Sequence, residues 1–372
     1  VTPAEHYFAF SAYDGKSISV NFGQKPFKFP PPDGFQPLNN ANVRPETVIA
    51  RPDQYVGVTT YTGTGSARSI TGLNFGTNPD LVWIKSRSFT TNGRLLDTVR
   101  GATKELYSAE TTEETTQAQS LTSFDRDGFS LGTLSNVNQD TSTFVAWTWR
   151  AGGNKNTFNV DDVGYATAAA AGLNGGSITP IGASVGTRQG FSIIKYTGNS
   201  TANATLPHGL SEAPNFVMIK NLDNTYGWAV LHTSAGTTGT TLDGSPEYYM
   251  LQLDSSAGAQ NFSQDTIWNP TSTTVKIDQS GGANWVNNSN SDYVMYAWHD
   301  VPGLQKFGKY SGNQSADGPF IELGFRPAMV WIKGIGSGST SWRIFDKERS
   351  PINTTTTLYL RPNVANGDLD DT

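Results

Sequence analysis

The sequence predicts an all-β protein built from tandem β-sandwich modules. Three observations predict it: the composition, a pattern that recurs three times along the chain, and the lack of any helical or membrane period. Of 372 residues, 39 are Gly and only 16% are charged, while 9 Trp, 14 Tyr and 19 Phe hold the aromatic share at 11%. An average globular chain is roughly 7% Gly and roughly 25% charged. Thr, Gly and aromatic residues suit half-buried pleated strands joined by many turns. A disordered chain would have fewer aromatics and more charge. No heptads run, and no apolar stretch approaches about 18 residues, so neither a coiled coil nor a membrane-spanning helix is expected. The net charge of −6 gives no ground for a duplex nucleic acid partner. With no Cys, a disulfide framework, Cys-ligated zinc and thiol catalysis are all excluded.

The three copies begin at Tyr61-Thr62-Gly63, Tyr196-Thr197-Gly198 and Tyr310-Ser311-Gly312. A Gly-apolar step follows in each (Gly72-Leu73, Gly209-Leu210, Gly324-Phe325), and then a proline (Pro79, Pro214, Pro327). An apolar strand ending in Lys comes next: Leu81 to Lys85, Phe216 to Lys220, Met329 to Lys333. The separation from Tyr61 to Lys85 and from Tyr196 to Lys220 is 24 residues, and from Tyr310 to Lys333 it is 23. A second strand follows each, at Arg94 to Asp97, Trp228 to His232 and Trp342 to Asp346. Copies one and two share a closing half, in which Val137-Asn138 precedes the strand Phe144 to Trp149 and Val286-Asn287 precedes Tyr293 to Trp298. These strands alternate with period two, as a sandwich strand does. Copy three shows no closing strand, so either the chain continues or a neighbouring chain completes the sheet.

Five regions are expected: 1–50, a strand-rich segment with a Pro-rich connector; 51–153, module one; 154–188, a linker or arm holding the Ala166 to Ala171 tract; 189–303, module two; and 304–372, the incomplete module three. The short passage from Trp298 to Tyr310 suggests that modules two and three pack rigidly end to end. The linker reads either as a surface meander or as an arm that pairs with a neighbouring subunit.

Tyr7 to Ser11, Ser17 to Gly23 and Pro32-Asp33-Gly34-Phe35 resemble the last strands of a SPRY domain. The rest resembles the repeat domain that follows SPRY-like modules in virion proteins of tailed phages, marine and cyanobacterial ones especially. The matching motifs are Val82-Trp83-Ile84-Lys85-Ser86-Arg87-Ser88, Asp97-Thr98-Val99-Arg100-Gly101, Phe124-Asp125-Arg126-Asp127-Gly128-Phe129, Ala146 to Gly152 and Ser315 to Pro319. The resemblance implies SPRY/concanavalin-like or jelly-roll sandwiches in a phage structural protein, a tail fibre or similar appendage, extracellular on the virion. It carries no activity. Copy two has no Arg after Lys220 and no Asp-x-Val-Arg-Gly segment, so a site built on Arg87 or Arg100 would be absent there.

No constellation points to chemistry. His6, His208, His232 and His299 lack metal spacing and read as turn or surface residues. No nucleophile elbow is present. Asp125 with Asp127, or Asp161 with Asp162, are the carboxylate pairs to weigh for glycan cleavage, and Asp125-Arg126-Asp127-Gly128 reads first as a β-turn. No catalytic residue, metal ligand or cofactor is therefore assigned. Strand aromatics such as Trp83, Trp147, Trp149, Trp298 and Trp331 read as core. Tyr226, Trp268 and Trp285, set among Asn, Thr and Gly, are the candidates for binding a host-surface glycan. The expected function is structural and adhesive, in a homo-oligomer of trimeric or other cyclic symmetry with other virion proteins, without nucleic acid or membrane insertion. The alternative is a secreted or surface carbohydrate-binding lectin or adhesin of a bacterium.

Overall fold

The computed structural model describes Ser19, Asn21 and residues 48–240, 246–260, 269–277, 285–315, 317–336, 338–350 and 358–370. The SPRY-like strands expected before residue 48, Ser19 and Asn21 apart, and Trp268 lie outside the described residues. Two compact units divide at Val48, and the second, Ile49–Thr372, holds the three copies.

The all-β expectation holds. Module one contains β1 (Val56–Thr62), β2 (Arg68–Thr71), β3 (Leu81–Ser86), β4 (Arg94–Asp97), β5 (Lys104–Tyr107), β6 (Thr115–Thr116), β7 (Leu121–Asp125), β8 (Gly128–Leu131) and β9 (Thr143–Trp149), with one helical turn, α1 (Ser135–Asn138). Its main sheet runs β1-β9-β3-β4-β5-β6, and β2-β8-β7 packs over one face. The linker adds β10 (Phe158–Val160), β11 (Val163–Tyr165) and β12 (Gly182–Gly186). Module two contributes β13 (Phe191–Thr197), β14 (Ala204–Pro207), β15 (Phe216–Asn221), β16 (Ala229–His232), β17 (Thr237–Thr240), β18 (Pro246–Tyr248), β19 (Met250–Gln252), β20 (Thr274–Ile277) and β21 (Asp292–Trp298). Its main sheet, β11-β10-β12-β13-β21-β15-β16-β19, absorbs the linker strands at one edge, and β14-β20 forms a small second layer. The linker thus extends its own chain's sheet. Module three has the two strands β22 (Met329–Ile332) and β23 (Arg343–Asp346), with bridges from Ile344 to Leu360 and from Tyr359 to Leu369.

Period-two alternation sorts the central strands into two faces. In module one Val82, Ile84, Leu96, Phe144 and Ala146 face the small sheet and meet Ile70, Leu121, Phe129 and Leu131. In module two Val217, Ile219, Leu231, Tyr293 and Met295 face Leu206, Val275 and Ile277. The opposite faces do not meet solvent. Leu81, Trp83, Leu95, Val145 and Trp147 of module one join Phe216, Met218, Val230, Tyr296 and Trp298 of module two and Trp342, Ile344 and Leu360 of module three in one core. Strands β3 and β15 are accordingly buried at every residue. Modules two and three are not stacked end to end, because all three modules turn an aromatic face inward onto a common core. Burial of that shared apolar area, at about 25 cal/mol per Å², holds the modules together.

Candidate functional site

The inward-facing joints repeat. Trp83, Met218 and Trp331 occupy the same position in β3, β15 and β22, and all three lie at the shared core, with Trp83 and Trp331 edge to face at 5.2 Å. Two residues on, each lysine turns its ammonium to backbone carbonyls, one of which belongs to another module. Lys85 Nζ donates to Thr91 O at 3.2 Å and to Val364 O at 2.8 Å. Lys220 Nζ donates to Tyr226 O at 2.7 Å and to Thr111 O at 2.9 Å. Lys333 Nζ donates to Thr340 O and, at 2.8 Å, to Ser256 O. Module one therefore takes a carbonyl from three, two from one, and three from two. Burial lowers these ammonium groups, Lys85 to about 7 and Lys220 and Lys333 to about 8, since desolvation disfavours the charged form.

Backbone bonds close the same cycle: Glu114 N donates to Leu222 O, Ala259 N to Ile335 O and Asp368 N to Arg87 O, at 3.0, 3.2 and 2.8 Å. Indole groups do likewise, Trp228 Nε1 to Tyr107 O and Trp342 Nε1 to Gln252 O, both at 2.8 Å. One chain thus holds an approximate threefold ring of modules.

Two of the three joints carry a buried ion pair. Arg100 Nε pairs with Asp97 at 2.5 Å, and Tyr296 Oη of module two donates to the same carboxylate at 2.6 Å. Arg349 Nε pairs with Asp346 at 2.7 Å, and Trp147 Nε1 of module one donates to it at 3.0 Å. At the corresponding places module two has His232 and Ala235.

A recess of about 300 Å³ lies where module one leads into the linker, lined by Tyr55, Arg150, Asp161, Asp162, Arg188 and Gln189. Asp161 and Asp162 hold positive φ, 49° and 67°, at the β10–β11 turn. Their carboxylates are occupied: Asp161 accepts from Thr187 N at 2.9 Å and Oγ1 at 2.6 Å, and Asp162 pairs with Arg150. Arg150 also lies over the Tyr55 ring at 5.7 Å. Arg188 is exposed and has no ion pair among the described residues. The recess can hold an anionic or hydroxyl-rich group against Arg188.

Trp285 is half-buried and lies on Gly227, where a Cβ would meet its ring at 2.8 Å, and Tyr226 is the half-buried neighbour whose carbonyl holds Lys220. Tyr226 and Trp285 therefore sit at one spot on module two. Asp125 accepts from Ser123 Oγ and Ser130 Oγ, and Asp127 turns the β7–β8 hairpin with φ 55°. His208 and His299 differ from the surface expectation, being 0% and 4% exposed. His208 Nδ1 accepts from Leu210 N, its Nε2 meets Thr271 O, and burial lowers it to about 4. Among the described residues no group of three His, Asp or Glu side chains could hold a metal ion.

The joints escaped the sequence reading, although one signal was visible: a lysine ends an apolar strand at the same position in all three copies. A family model described as a domain of unknown function (DUF7483) matches residues 51–372, so it takes in all three modules together. No curated protein matches the chain.

Proposed function

Because the chain belongs to the DUF7483 family, whose description names no activity, we propose on the chain's own geometry that it is a non-enzymatic structural protein of a phage virion. Its place there is a tail fibre or similar appendage. The observation that carries this reading is the ring of three modules around one aromatic core. Its buried charges bind modules to one another rather than lining a cleft. Such a block resists deformation, because prying one module away exposes apolar surface and strips buried cations of their carbonyls at once. The motif resemblance to phage repeat domains supplies the virion setting. Homo-oligomerisation, contact with other virion proteins and host-surface adhesion belong to the same proposal. Mass spectrometry of purified virions tests it: the chain is expected at a fixed copy number, and its absence from particles that contain their other tail proteins overturns the reading.

The recess favours one second reading, a carbohydrate-binding protein of a bacterial surface. Arg188 is the free group there, so an acidic glycan is the ligand to try. A glycan array on wild type and Arg188→Ala decides it. Retention of acidic glycans by wild type and not by the variant supports the lectin, and no retention by either removes it.

A further inference from the structure

Modules one and two close with the same device. Tyr61 Oη donates to Val137 O at 2.7 Å, and Tyr196 Oη donates to Val286 O at 2.6 Å. Each ring stacks on the first aromatic of the closing strand, Tyr61 on Phe144 and Tyr196 on Tyr293, with centroids 5.2 Å apart in both. The glycine two residues later lies against the backbone that leads into that strand. A Cβ on Gly63 would stand 2.1 Å from Gln139 O, and one on Gly198 2.2 Å from Asn288 O. A buried asparagine takes the next amide: Thr64 N donates to Asn138 Oδ1 at 3.0 Å and Asn199 N to Asn287 Oδ1 at 2.9 Å.

Module three has the tyrosine and the glycine at the same spacing, Tyr310 and Gly312. Among the described residues nothing covers them: Tyr310 is 50% exposed, and a Cβ on Gly312 would meet nothing within 4 Å. Phe320, between them and β22, is 88% exposed. Among the described residues strand β22 is paired on one edge only, by β23, whereas β3 and β15 are each paired on both. In the complete modules Arg87 N donates to Thr143 O and Leu222 N to Asp292 O. Period two then aims the amides of Trp83 and Met218 at the closing strand, and that of Trp331 at the empty edge.

We infer that the free edge of β22, with Tyr310 and Gly312, is a strand-acceptor site for an extended segment of another polypeptide chain. The segment is a Val-Asn turn followed by a strand alternating aromatic, Val, small or Met, aromatic, as in β9 and β21. Strands β9 and β21 are each already paired on both edges, and no third such strand exists among the described residues, so the occupant proposed is a strand of another chain. Main-chain bonds to the open edge supply affinity, and the alternating side chains supply register. The neighbouring module adds a preference. Where modules one and three present a carboxylate, module two presents His232, whose Nδ1 accepts from Ser234 N at 3.1 Å. Its Nε2–H is left to donate, so a Tyr hydroxyl, which can accept, fits this joint better than an indole N–H, which cannot.

The probe is a labelled synthetic peptide with the sequence of residues 286–300, used with the intact chain. Saturable one-to-one binding is expected, with slowed hydrogen exchange at the Trp331 amide. Tyr310→Ala, a half-exposed position whose loss leaves the fold intact, should weaken binding at least about tenfold. A scrambled peptide should not bind. Absence of binding, or equal binding by wild type and Tyr310→Ala, overturns the proposal. Protection of Trp331 without peptide in protein from its native source also overturns it, since the edge would then be filled by the chain itself.

Discussion

Module three has the same landmarks as modules one and two, and the three differ in what those landmarks touch. Tyr61 and Tyr196 are buried, stacked and hydrogen-bonded, while Tyr310 stands half in water. Strands β3 and β15 lie inside their sheets, while β22 is an edge. The joints differ in the same place. Asp97 and Asp346 each receive a hydrogen-bond donor from the closing strand of another module, whereas His232 of module two sits where module three would have to send one. A carboxylate there would lie in an apolar setting without a donor, a costly arrangement. A neutral imidazole costs far less. Thus the buried carboxylate–arginine pair stands only at joints that have both halves.

The sharpest way to break the comparison is to empty one clasp. Asp346→Ala leaves Arg349, whose side chain is 0% exposed, with Asp368 as its one remaining carboxylate partner among the described residues and strips Trp147 Nε1 of its acceptor, and should cost about 3 kcal/mol. His232→Ala at the matching position should cost only about 1 kcal/mol. Urea unfolding midpoints measure both, and equal costs would mean that the joints are alike. Next comes the tyrosine pair: Tyr61→Ala should cost about 3 kcal/mol, and Tyr310→Ala within about 0.5 kcal/mol, in the same assay.

The lysines give a pH signature. Their folded values, about 7 for Lys85 and about 8 for Lys220 and Lys333, lie below the value of about 10.4 for an exposed lysine. Between them the unfolded chain binds protons that the folded chain has released, so stability rises with pH. Stability should increase from pH 7 to pH 9, by the order of 1 kcal/mol for each well-buried lysine, and be read as a rising melting temperature. Lys85→Met should flatten its share of the slope, and a slope unchanged by that variant would refute the assignment. Smallest of all, Arg188→Ala should leave the melting temperature within about 1 °C, because an exposed, unpaired guanidinium contributes little.

Much of the architecture was legible because it rests on local period. Alternation in Phe144 to Trp149 and in Tyr293 to Trp298 marks central strands, and Gly and Asp mark turns such as Asp127-Gly128. Burial of Trp83 and Trp147 was legible too, but not its cause. Alternation says that both faces of a strand are apolar, and it does not say which neighbour covers each. A sandwich interior and a joint between sandwiches need the same residues. The joints join carbonyls and lysines far apart in sequence, and a carbonyl carries no residue signature. Thr111, Ser256 and Val364 play the same part through their carbonyls, and no one residue type marks it. The linker was illegible for another reason: Phe158 to Val160 is a three-residue strand, too short for a period, and the parallel partner β12 fixes it.

The ring also sets a timetable for synthesis. The carbonyl that module two's lysine takes from module one lies 109 residues away, and the one that Lys333 takes lies 77 away, both upstream and already made. Lys85 must wait for Val364, 279 residues later. At about 5–20 residues per second a ribosome needs some tens of seconds to cover that distance. Through that interval module one has its small-sheet core but not its second cover, and the face bearing Trp83 and Trp147 stays open to other chains. The nascent protein is therefore most adhesive at its beginning, and its first module becomes dry only when its last one arrives.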